Sequence, residues 1–145
     1  MKKSFRGLIG DAEQQQIRLS TNNGLTGYQI KKFQTISNQN TAGGVSGEHF
    51  TFIWSRKQDS VSTNTPNIDF SDPLLLAVCW QPNNAERAFA NPIIFDNMVF
   101  NQDIYVTHMD IAGSEKNNYY IELEQVKLSE TEATVATLKD MRASE

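Results

Sequence analysis

Two histidines, His49 and His108, and one cysteine, Cys79, are the side chains best suited to proton transfer, metal binding or nucleophilic attack. Neither histidine has a partner at metal-ligand spacing. Each lies beside apolar neighbours in an alternating segment, which predicts a half-buried, hydrogen-bonded ring. Cys79 stands between Val78 and Trp80 with no basic partner implied, so a buried, inert thiol is expected. Carboxylates occur at Asp69, Asp72, Asp96, Asp103 and Asp110. The run Asp69-Phe70-Ser71-Asp72 offers oxygens but lacks the spaced ligands and glycine of a calcium loop, so Asx-turn and capping roles are expected. Glu122 and Glu124 fall on one strand face, about 7 Å apart by strand geometry. A glycosidase would need such a pair to line a cleft, and an exposed sheet face explains them better. Phosphate loops, serine elbows and zinc-ligand pairs are absent from the sequence. These residues assign no catalytic, cofactor-binding or metal site, and no cofactor or metal requirement is expected.

Aromatic and basic residues carry the remaining options. Phe50, Phe52 and Trp54, with Tyr119 and Tyr120, could stack sugar rings or bases. Filling a sandwich core is the stronger reading. Lys2, Lys3 and Arg6 give a small basic N-terminus suited to solvent or to an acidic partner surface.

The elements that must position these residues are mostly short strands. Alternation predicts strands over 4–9, 15–20, 28–37 and 48–56, with a phase change at Phe33 that marks a bulge. In 48–56, Phe50, Phe52 and Trp54 share one face, and His49, Thr51 and Ile53 the other. The apolar run 74–80, bounded by Pro73 and Pro82, suits a strand buried on both faces. Apolar residues run almost throughout 92–109, ending in a strand over 103–109. A further strand spans 118–128. Asn22-Asn23-Gly24 predicts a tight turn, and 38–47, 57–72 and 81–91 read as loops, the last with one helical turn near 85–90. Ser129 and Glu132 fit a capping box at the start of a helix over 129–142. About three turns cannot persist alone in water, so that helix must dock on the sandwich or on a neighbour. The fold expected is mainly β: an antiparallel β-sandwich, jelly-roll or immunoglobulin-like, with a short C-terminal α-helix. Residues 1–128 would form the sandwich domain, and 129–145 the helix and tail.

Composition sets the outer limits. The chain has 145 residues, enough for one core, and a formal net charge of −4, which argues against bulk-charge binding of nucleic acid. A single cysteine leaves no internal disulfide. The longest apolar run, 74–80, is far short of a membrane-spanning helix, and the basic start has no apolar stretch behind it that would make a signal peptide. Asn, Gln, Ser and Thr together outnumber the 13 basic and 17 acidic residues, so the surface is solvated more by hydrogen bonding than by charge.

Three segments carry a family resemblance: Phe100-Asn101-Gln102-Asp103-Ile104-Tyr105-Val106-Thr107, Asn117-Asn118-Tyr119-Tyr120-Ile121-Glu122-Leu123-Glu124, and Glu132-Ala133-Thr134-Val135-Ala136-Thr137-Leu138-Lys139-Asp140-Met141-Arg142. Together with Ile17-Arg18-Leu19 and Tyr28-Gln29-Ile30, they resemble small virion structural proteins of marine tailed bacteriophages. The resemblance covers about half the chain and leaves 39–91 outside it. It implies a virion location, after assembly in the host cytoplasm, and a non-enzymatic role, most simply head decoration or cement. The partners implied are the major capsid protein or other virion proteins, with no nucleic acid and no membrane. Repeated docking of a symmetric homo-oligomer would suit such a module. A neck or tail position, or a carbohydrate-binding sandwich, are the alternatives.

Overall fold

The computed structural model describes residues 1–21, 23–38, 48–62, 66–82, 90–95 and 98–143, the side chains of 140–143 excepted. Among the described residues eight strands precede one helix: β1 (Lys2–Ile9), β2 (Glu13–Ile17), β3 (Thr26–Ser37), β4 (His49–Trp54), β5 (Leu75–Gln81), β6 (Asn91–Ile94), β7 (Ile104–Asp110), β8 (Asn117–Lys127) and α1 (Glu130–Ala143). They form a three-stranded sheet, β1-β8-β3, and a five-stranded sheet, β2-β7-β4-β5-β6. Every pairing is antiparallel. The first strand pairs with the last, the second with the second-last, and the fourth with the fifth. β3 and β6 lie within contact distance without sharing a ladder. This is one long hairpin wound into two facing sheets, the jelly-roll winding. An immunoglobulin-type sandwich would set β1 beside β2 in one sheet, and here they lie in different sheets.

The winding makes β1 an integral strand. All eight of its residues pair with β8, and Ile9 is fully buried, so the N-terminus is not a free arm. Gly10 and Glu13 close the turn to β2 by a hydrogen bond from Gly10 N to Glu13 Oε2 (2.9 Å). Ala12 in that turn adopts φ +56°, a left-handed conformation that costs an L-residue free energy. The expected bulge in the third strand is present as a register shift between Ile30 and Lys32, slightly before Phe33.

The central strands of the larger sheet, β4, β5 and β7, are buried on nearly all of both faces, as the run 74–80 predicts for β5 and as alternation does not anticipate for β4. Ile53, Ala77, Ile104 and Val106 face the smaller sheet and pack against its Ile30, Ile121 and Leu123. Phe50, Phe52, Leu75, Val78 and Met109 form a second cluster on the opposite face, flanked by Trp54, Phe95 and Ile111. The face expected to fill the inter-sheet core therefore points away from it. Described residues of the long segment between β4 and β5 lie over that outer cluster. Phe70 meets Phe95 edge-on at 5.1 Å, and Gln58 exchanges hydrogen bonds with Gln14. A polar segment this long is thus used as a cover for an apolar sheet face.

The capping box forms as expected: Glu132 N donates to Ser129 Oγ (3.2 Å) and Ser129 N to Glu132 Oε1 (3.3 Å). The helix docks on its own sandwich. Ala133 is buried, and Asn101 Nδ2 faces Gly24 O, Ala133 O and Thr137 Oγ1 at 3.1, 3.3 and 3.0 Å. Gly24 takes φ +67° in the turn before β3. Among the described residues no helix is long and apolar enough to cross a membrane. The helical turn expected near 85–90 and the loop over 39–47 lie outside the described residues, as do Asn22 and Asp96.

Candidate functional site

The two histidines meet inside the sandwich. Register sets Thr51 opposite His108 and His49 opposite Asp110, so His49 and His108 are diagonal neighbours on the inward face. His49 Nδ1 lies 2.8 Å from His108 Nε2, and both side chains are 0% exposed. His108 Nδ1 lies 2.8 Å from Gly10 O, and His49 Nε2 lies 3.2 Å from Ser37 Oγ. A carbonyl only accepts, so His108 Nδ1 carries a proton. In the neutral pair one sense then follows: Ser37 donates to His49, His49 to His108, and His108 to Gly10. Burial, then the neighbouring His108, push the His49 pKa down to about 4, against the pull of Asp110 and Asp11. Burial likewise lowers His108, against Gly10 and the acidic neighbours Asp11, Asp110 and Glu13. The pair is a neutral, internally satisfied proton chain at pH 7. Sequence spacing did not reveal it, because the two rings stand 59 residues apart.

Other residues with chemical potential are also occupied internally. Cys79 is buried with Sγ 3.2 Å from Thr35 Oγ1, and burial pushes its thiol pKa up. Asp110 accepts from the amides of Glu48, Ala112, Gly113 and Glu115 at 2.8–3.1 Å. Burial pushes the Asp103 carboxyl up, but the amides of Ser20 and Leu19 and the Gln16 side chain outweigh it and leave its pKa lowered. Asp69 and Asp72 take the Asx-turn roles expected of them, accepting from the amides of Ser71 and Leu74. No cluster of three or more potential metal ligands exists among the described residues.

The outward face of the three-stranded sheet is different, because some of its polar side chains, those of Arg6, Gln34 and Asn118, remain open. Register aligns Arg6, Tyr120 and Gln34 in one row and Leu8, Asn118 and Ile36 in the next. Ser4, Glu122 and Lys32 make the third row, and there Lys32 Nζ lies 3.9 Å from Glu122 Oε2. Tyr120 donates its hydroxyl to Glu122 Oε2 at 2.9 Å. To reach a residue two places along the same strand face, the ring must lie along the sheet. Tyr120 is half-buried there. A groove of about 490 Å³ runs here, lined among others by Arg6, Gln34, Ile36, Asn118 and Tyr120. Tyr119 and Tyr120 are separated by strand alternation: Tyr119 turns inward, is buried, and donates to Gln15 Oε1 at 2.8 Å. Glu122 and Glu124 stand on the exposed face, as expected, and Glu124 pairs with the N-terminal ammonium at 3.4 Å.

These features define a two-sheet jelly roll with a sealed polar interior and one open, mixed polar–aromatic sheet face. No protein-family model matches the chain, and no curated protein matches it. Solved structures with a similar chain path include a protein of the disulfide-linked pili of Bacillus endospore appendages (8% identity, TM-score 0.43, covering 89% of this chain and 88% of that one). Others are VP1 of Trichodysplasia spinulosa-associated polyomavirus in complex with 3'-sialyllactose (9%, 0.42, 86% and 93%) and VP1 of Merkel cell polyomavirus in complex with GD1a oligosaccharide (6%, 0.37, 79% and 77%).

Proposed function

We propose that this chain is a non-enzymatic structural protein of a virion, a head decoration or cement protein that binds and stabilises the shell of a tailed bacteriophage. Residues 1–128 serve as the sandwich domain and 129–145 as its helix and tail. The observation that carries the reading is where the reactive side chains go. His49, His108 and Cys79 are consumed in interior hydrogen bonds, while the exposed, described positions are shared about evenly between charged residues and Asn, Gln, Ser and Thr. A module of this kind gains affinity from many copies and small contacts rather than from one deep site. The segment resemblance to phage virion proteins supports the same reading. The partners are the major capsid protein or other virion proteins, with symmetric homo-oligomers as the docking unit.

A reconstruction of the particle tests this. Density for the jelly roll on the capsomers, at hundreds of copies, is the expected result. Tens of copies or fewer at the neck or tail would move the chain there, and absence from the particle would end the virion reading.

A further inference from the structure

We infer that the outward face of the three-stranded sheet binds glycans, with preference for carboxylate-bearing sugars. The inference stands on that face alone and is independent of the particle assignment. Three properties of the face point to a saccharide. First, Tyr120 is tethered along β8 by its bond to Glu122, which itself lies beside Lys32, so the ring is restrained before any ligand arrives. A pyranose ring presents an apolar C–H face that packs on such a ring. Second, Arg6, Gln34 and Asn118 are exposed and flank the ring, and their side chains, unlike their backbones in the β1–β8–β3 ladders, make no hydrogen bond to another described residue. Planar amide and guanidinium groups with free donors and acceptors match vicinal hydroxyls. Third, Ile36 is 64% exposed and Leu8 41%, both on this face. Their aliphatic surface is available to pack against the C–H groups of a ligand.

Charge selects the kind of sugar. Glu122 is balanced by Lys32 and Glu124 by the N-terminal ammonium. Arg6 lines the groove without an acidic partner among the described residues, so it supplies an open, bidentate site for a carboxylate. A groove of about 490 Å³ lies within the range of small-ligand sites and is wide enough for a short oligosaccharide. An apolar protein partner fits less well, because open polar groups would have to be desolvated over much of the face.

The test uses the full chain, biotinylated and displayed on tetrameric streptavidin, over an array of uronic-acid, nonulosonic-acid and neutral oligosaccharides. Retention on carboxylate-bearing glycans is expected. Tyr120→Ala should lower it by about tenfold or more, while Tyr120→Phe, which keeps the ring but loses the bond to Glu122 that restrains it, should lower it by less. Arg6→Gln should remove the preference for acidic over neutral sugars. Amide spectra of each variant confirm that the sheet is intact. The inference is overturned if no glycan retains the wild-type chain above Tyr120→Ala. It is equally overturned if sulfated dextran competes as well as the best glycan, which would reduce the effect to charge. If Tyr120→Ala instead abolishes self-association in the ultracentrifuge without changing glycan retention, the face is a protein interface and the inference fails.

Discussion

Acidification should weaken the fold through the histidine pair before any carboxylate is protonated. His49 has a folded-state pKa of about 4 against an ordinary value of 6.5, because the cation would be buried beside another imidazole. The unfolded chain therefore binds the proton at a pH where the folded chain does not. Stability from this group is complete above pH 6.5, falls as the pH drops, and stops changing below pH 4. At 1.36 kcal/mol per pKa unit, the whole effect is about 3 kcal/mol, of which about 2 kcal/mol has gone by pH 5. His108, lowered in the same direction, shares the 2.8 Å bond, so the pair is counted once. Carboxylates held low by hydrogen bonds, such as Glu13 and Asp103, add their own losses only nearer pH 4, which leaves a clean window between pH 6.5 and 5. Urea unfolding followed by circular dichroism at pH 7, 6 and 5 measures the loss. Imidazole ¹⁵N shifts measure the cause: the His49 ring should stay neutral at pH 5.5, and His108 should titrate below its ordinary value. Titration of either ring near pH 6.5, or a stability unchanged between pH 7 and 5, would refute the reasoning.

Three further outcomes follow from packing and backbone. Phe52→Ala should cost about 3–5 kcal/mol, because the ring is buried between the larger sheet and its covering segment; a loss below about 1 kcal/mol in urea unfolding would show that the cover is not closed. Ala12→Gly should stabilise by about 0.5–1 kcal/mol, since glycine relieves the positive φ at a smaller entropic cost; an unchanged or lowered Tm contradicts this. Ser129→Ala removes the acceptor for Glu132 N and should cost about 1 kcal/mol while reducing helical signal at 222 nm; an identical signal would mean that docking alone fixes the first turn.

The fold was legible in the sequence as far as local pattern reaches. Every strand but β6, the antiparallel sandwich and the capping box follow from alternation, the apolar run 74–80, turn residues and the Ser129–Glu132 spacing. Two things were not legible, each for a physical reason. In β4 the alternation is real, but neither face meets water, so the usual rule that the apolar row turns inward picks the wrong side. Phe52 lies under the segment that follows β4 and Phe50 stacks with Trp80, while His49 and Thr51 enter the inter-sheet space with Ile53. Thr51 is satisfied there by Asn117 Nδ2 at 3.0 Å and His49 by His108. Partners of that kind come from strands far along the chain, and only register creates them. The open sheet face has the same origin. Arg6, Gln34 and Tyr120 become one row because β8 pairs with both β1 and β3. The separation of Tyr119 from Tyr120, by contrast, was already implied by strand alternation.

The winding also decides what can be removed. Deleting residues 1–10 strips the first strand from the small sheet and leaves β8 with an unpaired edge. It exposes the core contacts of Ile9 and Phe5 and takes away Gly10 O, the acceptor that ends the histidine chain. A three-stranded sheet reduced to two cannot hold the apolar face of a five-stranded one, so this truncation should not melt cooperatively. Deleting residues 130–145 leaves every strand pairing in place. Its costs are local: Leu128 is uncovered, and Asn101 keeps only Gly24 O of the three acceptors it faces. Residues 1–129 should therefore retain a β-sheet circular dichroism spectrum and a cooperative transition at a lowered Tm. That chain is the one with which to ask whether the helix contributes to shell binding, since a loss of occupancy there is not a loss of fold. If residues 11–145 melt at the temperature of the full chain, β1 is dispensable and the pairing of first strand with last does not hold the sandwich together.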